Sequence, residues 1–452
     1  MSIATTTAVP ALEQFKSKVD ARTAKIGVVG LGYVGLPLVL LFSEQKFGIT
    51  GFDIDTRKVD SLNSGKSYIV RILPEEVKGA QQSGFKATSD YARIADMDAV
   101  IICVPTPLNE YREPDMSYIV STAEAIAPYV HPGQIIILES TTYPGTTEDV
   151  LIPILEKGKH GLKVARGEDF SARDFFVAFS PEREDPGNTE VARHDIPKVV
   201  GGVNQTATEM ARAVYGTIFR KTVPVSTPAA AEMTKLLENI YRCVNIAMVN
   251  ELKLLCLKMG IDIWEVIEAA KTKPFGFHPF YPGPGLGGHC IPVDPYYLSW
   301  KAREFDFTAR FIELAGDVNS GMPYHVVQSV AKALNGHKKS LNGSKVLVLG
   351  VAYKKDIDDL RESPSLTIIE QLKDEGAEVF YNDPFFPTVG KGRHYDLQMK
   401  NTPLENLGQY DCVLIVTDHS DYDYRTIVNE AQLVVDSRNA TKGISSPKIV
   451  LC

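Results

Sequence analysis

Residues 25–35 read K-I-G-V-V-G-L-G-Y-V-G, and this stretch decides the fold of the first part of the chain. Its apolar start predicts a short buried strand, and residues 36–44 after it predict a helix. Between the two, Gly30, Gly32 and Gly35 form the G-x-G-x-x-G pattern, in which glycine turns the chain and lets a pyrophosphate approach. The phosphates would then meet the amides of the helix N-terminus. The stretch therefore predicts a dinucleotide site.

A second strand, residues 49–52, ends at Asp53, close to the spacing at which a ribose-binding acid is expected. A carboxylate there accepts both ribose hydroxyls and repels a 2′-phosphate, so NAD is favoured over NADP. Arg57 and Lys58 nearby keep the NADP alternative open. The residues expected to contact the cofactor in this region are Gly30, Gly32, Tyr33, Val34, Gly35, Asp53 and Arg57.

Three further apolar runs, at residues 99–104, 134–138 and 175–179, predict strands that alternate with helices. They lead into P-T-P at 105–107, S-T-T at 140–142 and S-P-E-R at 180–183. Ligands bind beyond the carboxyl ends of the strands in an open parallel sheet, which directs attention to these segments. We expect Pro105, Thr106 and Thr141 near the cofactor, and Thr141 with Glu182 near the chemistry. The alternatives are a helix cap for Thr141 and a solvated loop acid for Glu182.

A long helix is predicted between Pro228, suited to a first turn, and Gly260, which would end it. Some thirty residues at 1.5 Å each span roughly 45 Å, enough to join domains and to form a dimer interface. Its apolar stripe comprises Met233, Leu237, Ile240, Val244, Met248 and Leu252. Lys235 and Asn239 share a helical face, where they would stabilise a developing oxyanion or would simply be solvated.

The segment G-P-G-L-G-G-H-C-I-P-V-D, residues 283–294, presents Cys290 in a loop rich in glycine and proline, with Asp294 following it. A thiol beside an acid in such a loop suggests covalent catalysis, and the alternative is a small buried cysteine. The six cysteines are scattered without a C-x-x-C pair, which indicates reduced thiols in a cytoplasmic protein. His289 beside Cys290 is too small a ligand set for a metal, so none is predicted.

The C-terminal quarter repeats the layout of the N-terminal unit without its glycine fingerprint. Predicted strand 345–349 runs into G-V-A-Y-K-K, and a helix, a strand and Asp383 follow. Two lysines, Lys354 and Lys355, stand where the glycine turn would hold phosphates, and Arg361 and Arg438 are further candidate anion ligands. Runs 413–416 and 433–435 complete a second small parallel sheet. This half is predicted to hold a diphosphate instead of a dinucleotide.

The whole sequence has 452 residues, 44% hydrophobic and 23% charged, with a net charge of −8. The acidic balance argues against nucleic acid as a partner, and no run reaches the ~20 apolar residues of a membrane span or resembles a signal peptide. The predicted fold is α/β, with two Rossmann-like, doubly wound parallel-sheet domains joined by the long central helix. The predicted domains are an N-terminal tail (1–24), an NAD-binding domain (25–225), a central helical domain (226–335) and a C-terminal domain (336–452).

From about Lys25 to Cys452, the order of these motifs resembles the UDP-glucose/GDP-mannose dehydrogenase family. G-G-H-C-I-P-V-D is the most specific part of the resemblance. It implies that NAD oxidises an alcohol twice to a carboxylate, with Cys290 forming a thiohemiacetal and then a thioester. Lys235 and Asn239 would stabilise oxygen charge and Asp294, with Thr141, would position a water. Glu182 would activate water for hydrolysis.

The resemblance also implies a UDP-sugar substrate and a homodimer or larger homo-oligomer. The stretch from Ser180 to Asn188 is most similar to the branch acting on UDP-N-acetylglucosamine, because UDP-glucose enzymes carry an aromatic residue at Arg183 and a second glutamate at Pro186. UDP-glucose, UDP-N-acetylmannosamine and a non-catalytic NAD-binding redox sensor remain alternatives. The family's cross-dimer arginine falls on Pro274, so Lys273 is a candidate for that role. Expected substrate-binding residues are Glu182, Arg183, Lys235, Asn239, Gly287, Gly288, Lys354, Arg361 and Arg438.

Overall fold

The structure is a computed structural model that describes residues 8–69, 71–109, 111–158, 161–167, 169–184, 191–288, 291–392 and 395–452. The chain divides into two compact units. The first comprises Met1–Glu238 and Trp300–Phe305, and the second comprises Asn239–Ser299 and Asp306–Cys452. Cys290 and His289 lie outside the described residues, as does the stretch 185–190.

The first unit contains a mostly parallel sheet with the strand order β3-β2-β1-β4-β5-β7-β8-β9, and β6 pairs with β7. Its strands are β1 (Ile26–Val29), β2 (Ile49–Phe52), β3 (Lys86–Thr88), β4 (Ala99–Ile102), β5 (Ile135–Leu138), β6 (Lys163–Val164), β7 (Asp174–Phe179), β8 (Lys198–Gly202) and β9 (Thr222–Val225). The pairing of β7 with β8 is antiparallel. Strands β1, β4 and β5 are buried along their whole length, as expected for a sheet covered on both faces.

The helices of the first unit cover both faces of this sheet, so that two apolar clusters form its core. They are α1 (Ala8–Asp20), α2 (Gly35–Glu44), α3 (Thr56–Asn63), α4 (Pro74–Gln82), α5 (Ser117–Ile126), α6 (Ile152–Gly158) and α7 (Gln205–Tyr215). The N-terminal segment, predicted only as a tail, forms helix α1. Phe15 and Val19 of this helix are buried in the cluster that also contains α7.

The second unit contains a five-stranded parallel sheet with the order β11-β10-β14-β15-β16 and an antiparallel hairpin, β12-β13. Its strands are β10 (Lys345–Leu349), β11 (Glu378–Asn382), β12 (Thr388–Lys391), β13 (Asp396–Lys400), β14 (Cys412–Ile415), β15 (Val434–Asp436) and β16 (Ile449–Leu451). The α-helices that follow α7 in the described residues are α8 (Pro228–Met259), α9 (Ile263–Lys271), α10 (Asp294–Ala302), α11 (Arg310–Gly336), α12 (Pro364–Asp374) and α13 (Tyr424–Glu430).

Helix α8 is the predicted long helix, and the boundary between the two units falls within it, after Glu238. Five of its buried residues are polar, Glu232, Lys235, Asn239, Asn250 and Lys253, and they lie among buried apolar residues such as Leu236 and Val249. Much of its apolar surface is exposed instead, with Leu237 60% exposed and Met248 48% exposed. The exposure of Leu237 and Met248 is unusual, because an apolar side chain gains free energy by leaving water.

The predicted α/β class and the two doubly wound domains are confirmed, and the predicted strands and helices agree with the structure to within one or two residues at most ends. No residue range was predicted for strands β3, β6, β8, β9 and β16, for the β12-β13 hairpin, or for the helices other than α2, α8 and α12. Among the helices that the structure describes, none combines the length and apolarity needed to cross a membrane.

Candidate active site

The three fingerprint glycines occupy three different environments. Gly30 has φ +91°, and a Cβ there would lie 2.6 Å from the carbonyl oxygen of Cys103, so the turn requires glycine. A Cβ on Gly35 would lie 1.9 Å from the Gly30 oxygen, which keeps helix α2 tight against the turn. Gly32 has no atom within 4 Å of its Cβ direction, so this side of the turn is open. The residues present therefore fit a pyrophosphate at the start of α2.

Asp53 lies at the carboxyl end of β2, buried beneath the glycine turn. Its Oδ2 accepts a hydrogen bond from the Leu31 amide at 3.0 Å, and its Oδ1 accepts one from the Asp55 amide at 2.9 Å. These bonds fix the carboxylate beside the turn, where a ribose diol is expected. The Lys58 ammonium lies 3.4 Å from the same carboxylate.

Arg57 is engaged with Asp55. Its Nε and Nη2 each donate to the Asp55 carboxylate at 2.9 Å, and this pairing lowers the pKa of Asp55 to about 2. A guanidinium held by a neighbouring acid is less available to a 2′-phosphate. The geometry of Asp53 and Arg57 agrees with a preference for NAD.

We expect Asp53→Ala to lower kcat/KM for NAD⁺ by about 10- to 100-fold, because hydrogen bonds to a charged group contribute about 1.5–3 kcal/mol. The value for NADP⁺ should change little, so the gap between the cofactors narrows. Initial rates with each cofactor measure this, with Asp90→Ala as a control at an exposed turn carboxylate. Wild-type protein that uses NADP⁺ as well as NAD⁺ would contradict the role given to Asp53.

The other predicted cofactor residues follow neighbouring strands. Strands β1 and β4 are paired in parallel, so the segment after β4 lies at the same edge as the glycine turn. Within it, Thr106 is buried and Pro105 is exposed. In the turn itself Val34 is partly buried and Tyr33 is half exposed, with the Arg71 guanidinium 5.9 Å from its ring centre. The structure thus brings these residues to one edge of the sheet.

Lys235 of α8 lies between two of the predicted catalytic residues. Its Nζ donates to Thr141 Oγ1 at 2.6 Å and lies 3.3 Å from Glu182 Oε2. Thr141 follows β5 and Glu182 follows β7, and these strands are neighbours in the sheet. The Lys235 and Glu182 side chains are only 7% and 15% exposed, so their attraction is weakly screened by water. An ammonium, a hydroxyl and a carboxylate thus meet at one point, as acid–base chemistry on an alcohol requires.

Arg183, the residue after Glu182, is held by protein groups. Its Nε donates to Glu238 Oε2 at 3.0 Å, its Nη2 lies 2.5 Å from Glu238 Oε1, and its Nη1 donates to the Pro197 oxygen at 2.7 Å. The expected contact of Arg183 with the sugar stays a prediction.

A buried network behind Thr141 and Glu182 was missed by the sequence analysis. Lys198 forms an ion pair with Glu139 and donates to the Pro181 oxygen at 3.1 Å, while the Tyr215 hydroxyl donates to Glu139 at 2.6 Å. Burial raises the pKa of Tyr215, and the Glu139 carboxylate raises it further. The one sequence signal was an acid, Glu139, placed directly after an apolar strand.

In the second unit, Asn239 and Asp294 are both buried and in contact. Asn239 Nδ2 donates to Asp294 Oδ2 at 2.5 Å, and Asn239 Oδ1 accepts from Arg242. Asp294 is the first residue of α10, where a carboxylate is favoured by the helix dipole. The two residues predicted to act on oxygen are therefore oriented by each other, and Arg242 is an orienting partner that the sequence analysis did not identify.

The glycine loop before Cys290 packs on the C-terminal domain. A Cβ on Gly287 would lie 2.4 Å from Tyr353 Cβ, and Gly288 has φ +88° and donates its amide to the Arg361 oxygen at 2.9 Å. A Cβ on Gly283 would lie 2.6 Å from Nη1 of Arg438. The loop is thus in contact with the segments that carry the predicted anion ligands.

The three predicted cations of this domain differ in how they are held. Arg438 is half-buried and donates from Nε to the Val416 oxygen at 2.9 Å, and burial lowers its pKa. Arg361 is 39% exposed, and its Nε and Nη2 both donate to the Asp359 carboxylate, with Nη2 at 2.7 Å. Lys354 follows Tyr353 directly and is partly buried. Guanidinium groups at a glycine loop fit a diphosphate.

Asp383 occupies in the second sheet the place that Asp53 occupies in the first. It accepts from the amides of Val351 at 2.7 Å and Ala352 at 3.0 Å, but His419 Nε2 also lies 3.0 Å from it. His419 Nδ1 accepts from the Asp356 amide, so the proton is assigned to Nε2. Burial is the largest single influence on Asp383 and raises its pKa, but the hydrogen bond and charge of His419 and the bonds from the Phe385 and Ala352 amides together lower it by more, so the net shift is downward. Both side chains are fully buried, so this acid is closed to a ribose.

This arrangement of a glycine-turn sheet, a lysine between two loop residues and a cation-bearing second sheet agrees with the sequence comparisons. The chain belongs to the UDP-glucose/GDP-mannose dehydrogenase family. The family's NAD binding domain matches residues 24–219, its central domain residues 229–321 and its UDP binding domain residues 347–443. It is accordingly an NAD-dependent oxidoreductase.

Individual relatives cover nearly the whole chain. It is 35% identical over 399 residues to the UDP-N-acetyl-D-glucosamine 6-dehydrogenase of Pseudomonas aeruginosa, covering 88% of this chain and 91% of that protein. It is 34% identical to the UDP-N-acetyl-D-mannosamine dehydrogenase of Methanocaldococcus jannaschii, covering 92% of each. The solved UDP-D-ManNAc dehydrogenase of Pyrococcus horikoshii superposes with a TM-score of 0.84 at 30% identity, covering 94% of this chain and 98% of that one.

Proposed function

We propose that this protein oxidises carbon 6 of a UDP-sugar to the carboxylate in two NAD-dependent steps. The observation that carries the proposal is the buried Lys235 ammonium between Thr141 and Glu182. When held at the glycine turn and Asp53, NAD⁺ would supply the hydride acceptor for each oxidation. Overall, one alcohol and one water become one carboxylate, two hydrides and protons released to solvent.

We assign the cofactor to the sheet of the first unit and the substrate's diphosphate to residues beside the sheet of the second unit. The open glycine turn and Asp53 hold the cofactor, and Arg438, Lys354 and Arg361 hold the diphosphate of the substrate. Gly287 and Gly288 are assigned to the sugar through their backbone, and a side chain at either position would collide with Tyr353.

In the first oxidation, Asp294 and Thr141 position a water that takes the hydroxyl proton. Asn239 orients Asp294 through the bond described above and, with Lys235, stabilises the negative charge that develops on oxygen. Charge stabilisation of this kind is strongest where water is excluded, and Lys235, Asn239 and Asp294 are all buried.

In the second oxidation, the Cys290 thiolate adds to the aldehyde carbon and gives a thiohemiacetal. Loss of the second hydride leaves a thioester, because sulfur stays bonded to the oxidised carbon. Glu182 takes a proton from water, the hydroxide adds to the thioester, and the thiolate leaves. The role of Cys290 rests on the sequence motif.

Among UDP-sugars we propose UDP-N-acetylglucosamine as the substrate. The S-P-E-R segment and the Pseudomonas aeruginosa relative support it, whereas the archaeal relatives named above support UDP-N-acetylmannosamine. NADH formation with these two sugars and UDP-glucose tests the choice. A higher kcat/KM for UDP-N-acetylmannosamine or UDP-glucose overturns it. No turnover of any nucleotide sugar would instead support the redox-sensor alternative. We also propose a cytoplasmic location, which the scattered cysteines support.

We propose that α8 forms a homodimer interface. Its exposed leucines and methionines, described above, extend to Leu255 and Met259, which are 51% and 61% exposed. Contact with a second copy would remove them from water, at about 25 cal/mol per Å² of apolar surface.

We expect light scattering to give at least twice the monomer mass at assay concentration. Leu255→Asp should shift the protein toward monomer, because a carboxylate would have to be buried in the interface. Tyr111→Asp, at an 81% exposed position outside α8, serves as the control and should leave the mass unchanged. A monomeric wild-type protein would contradict the interface.

A further inference from the structure

Helix α8 carries three charged residues spaced by three, Glu232, Lys235 and Glu238, so they lie near one another along the helix surface. Lys235 contacts Thr141 and Glu182 directly. Each flanking glutamate contacts the loop that carries one of these two partners. We call residues 140–147 the threonine loop and residues 180–184 the glutamate loop.

Glu232 binds the threonine loop. Its Oε2 accepts from the Gly145 amide at 2.6 Å, and its Oε1 accepts from the Thr147 amide at 2.9 Å and the Thr147 hydroxyl at 2.7 Å. Glu232 is 1% exposed. Because its carboxylate accepts from the Thr147 amide, it caps the helical turn that begins at Thr147. Three hydrogen bonds from one buried side chain fix the loop firmly to α8.

Glu238 binds the glutamate loop through Arg183. The paired guanidinium and carboxylate make two contacts, a geometry that fixes orientation as well as distance. Arg183 is adjacent to Glu182 in the chain, so movement of one displaces the other. The third Arg183 bond, to Pro197, ties the same guanidinium to the segment before β8.

We propose that Glu232 and Glu238, the latter through Arg183, are positioning residues that set the distances from the Lys235 ammonium to Thr141 and Glu182. Each loop is fastened to α8 one turn away from the lysine, on opposite sides of it. The proposal rests on the proposed function for its catalytic consequence. It also gives Arg183 the role of orienting the catalytic carboxylate of Glu182, which differs from the expected contact of Arg183 with the sugar.

The test uses Glu232→Gln, Glu238→Gln, Arg183→Met and the double variant Arg183→Met/Glu238→Gln. Glu232→Gln replaces one acceptor oxygen with an amide NH₂ group, which cannot accept a hydrogen bond from Gly145 or Thr147. Glu209→Gln is the control, since Glu209 likewise forms a partly exposed ion pair, with Arg212 at 2.6 Å on α7, away from the threonine and glutamate loops. The readouts are kcat, KM for each substrate, Tm and crystal structures.

We expect each positioning variant to lose about 10- to 100-fold in kcat, the scale of a misplacement of about 1 Å. KM for NAD⁺ should stay within about twofold, because the glycine turn is unaffected. Arg183→Met and Glu238→Gln each break the same ion pair, so the double variant should be no slower than the slower of these two single variants. Glu209→Gln should retain kcat. In the crystal structures, at least one of the two Lys235 distances should exceed about 4 Å, beyond hydrogen-bond reach.

Unchanged kcat in Glu238→Gln and Glu232→Gln would overturn the proposal. The proposal would also be overturned if Arg183→Met raised only KM for the UDP-sugar while Glu238→Gln changed neither kcat nor KM. That result would assign Arg183 to binding the sugar. If wild-type protein oxidises no UDP-sugar, the proposed function fails, and the crystal structures then decide the positioning. Distances that stay at 2.6 and 3.3 Å in all variants would overturn it.

Discussion

Cys290→Ser is expected to abolish turnover of the UDP-sugar, with a loss of about 10³-fold or more in kcat for carboxylate formation. A serine hydroxyl is a poorer nucleophile than a thiolate and a poorer leaving group from the acyl stage. The first hydride transfer does not need sulfur, so a product at the aldehyde level is the most that should form. Mass analysis of the sugar nucleotide after quenching measures this.

Cys256→Ser is the control for this prediction, because Cys256 is another free cysteine of the chain, partly buried on α8 and outside the motif. It should retain normal turnover. A Cys290→Ser protein that forms the uronate at the wild-type rate would show that no thioester is needed. A loss of equal size in Cys256→Ser would indicate damage to the fold instead.

Glu182→Gln is expected to separate oxidation from hydrolysis. The amide keeps an oxygen for Lys235 but cannot take a proton from water, so both hydrides transfer and the reaction then stalls. Mixing this variant with substrate and excess NAD⁺ should give a burst of about two NADH per site, followed by a phase slower than wild type by about 10²–10⁴-fold. Intact-protein mass should show the sugar nucleotide attached through Cys290.

Glu184→Gln is the matched control, since Glu184 belongs to the same loop and pairs with Arg193 at 3.1 Å. It should show steady turnover without a stalled adduct. Normal turnover in Glu182→Gln, or a burst without an adduct, would show that another group activates the water. Asp294 is then the next candidate.

The sequence was sufficient to predict the sheets because their strands are buried on both faces and therefore form continuous apolar runs. The strands that were missed lack this pattern. Strand β9 contains a proline and is only partly buried, and β8 ends in two glycines. Helix α1 was missed because few of its positions, such as Phe15 and Val19, are buried, so its apolar pattern is weak.

For the site, the motifs predicted the candidate catalytic residues but not the side chains that hold those residues in place. Glu232 meets Gly145 across 87 residues of sequence, and Arg183 meets Glu238 across 55. Nothing local distinguishes such acids from a solvated helix face, because their role depends on how separate strands are ordered in the sheet. The burial of Glu232 and Lys253 on α8, with Leu237 exposed, was unpredictable for the same reason.

The hydrogen bond from His419 closes the Asp383 carboxylate to a ribose, and this affects when NADH has to leave during the proposed reaction. Among the described residues, one strand-to-helix glycine turn, at Gly30–Gly35, fits the coenzyme, whereas the proposed function consumes two equivalents of NAD⁺ per sugar. Spent NADH must therefore leave and a fresh molecule enter halfway through, while a reactive aldehyde occupies the protein. A covalent bond to Cys290 would keep that intermediate from escaping during the exchange. On this view, the rate at which NADH dissociates sets an upper limit on kcat. The Cys290 thiol then has a second role beside its chemistry, which is to retain the half-oxidised sugar.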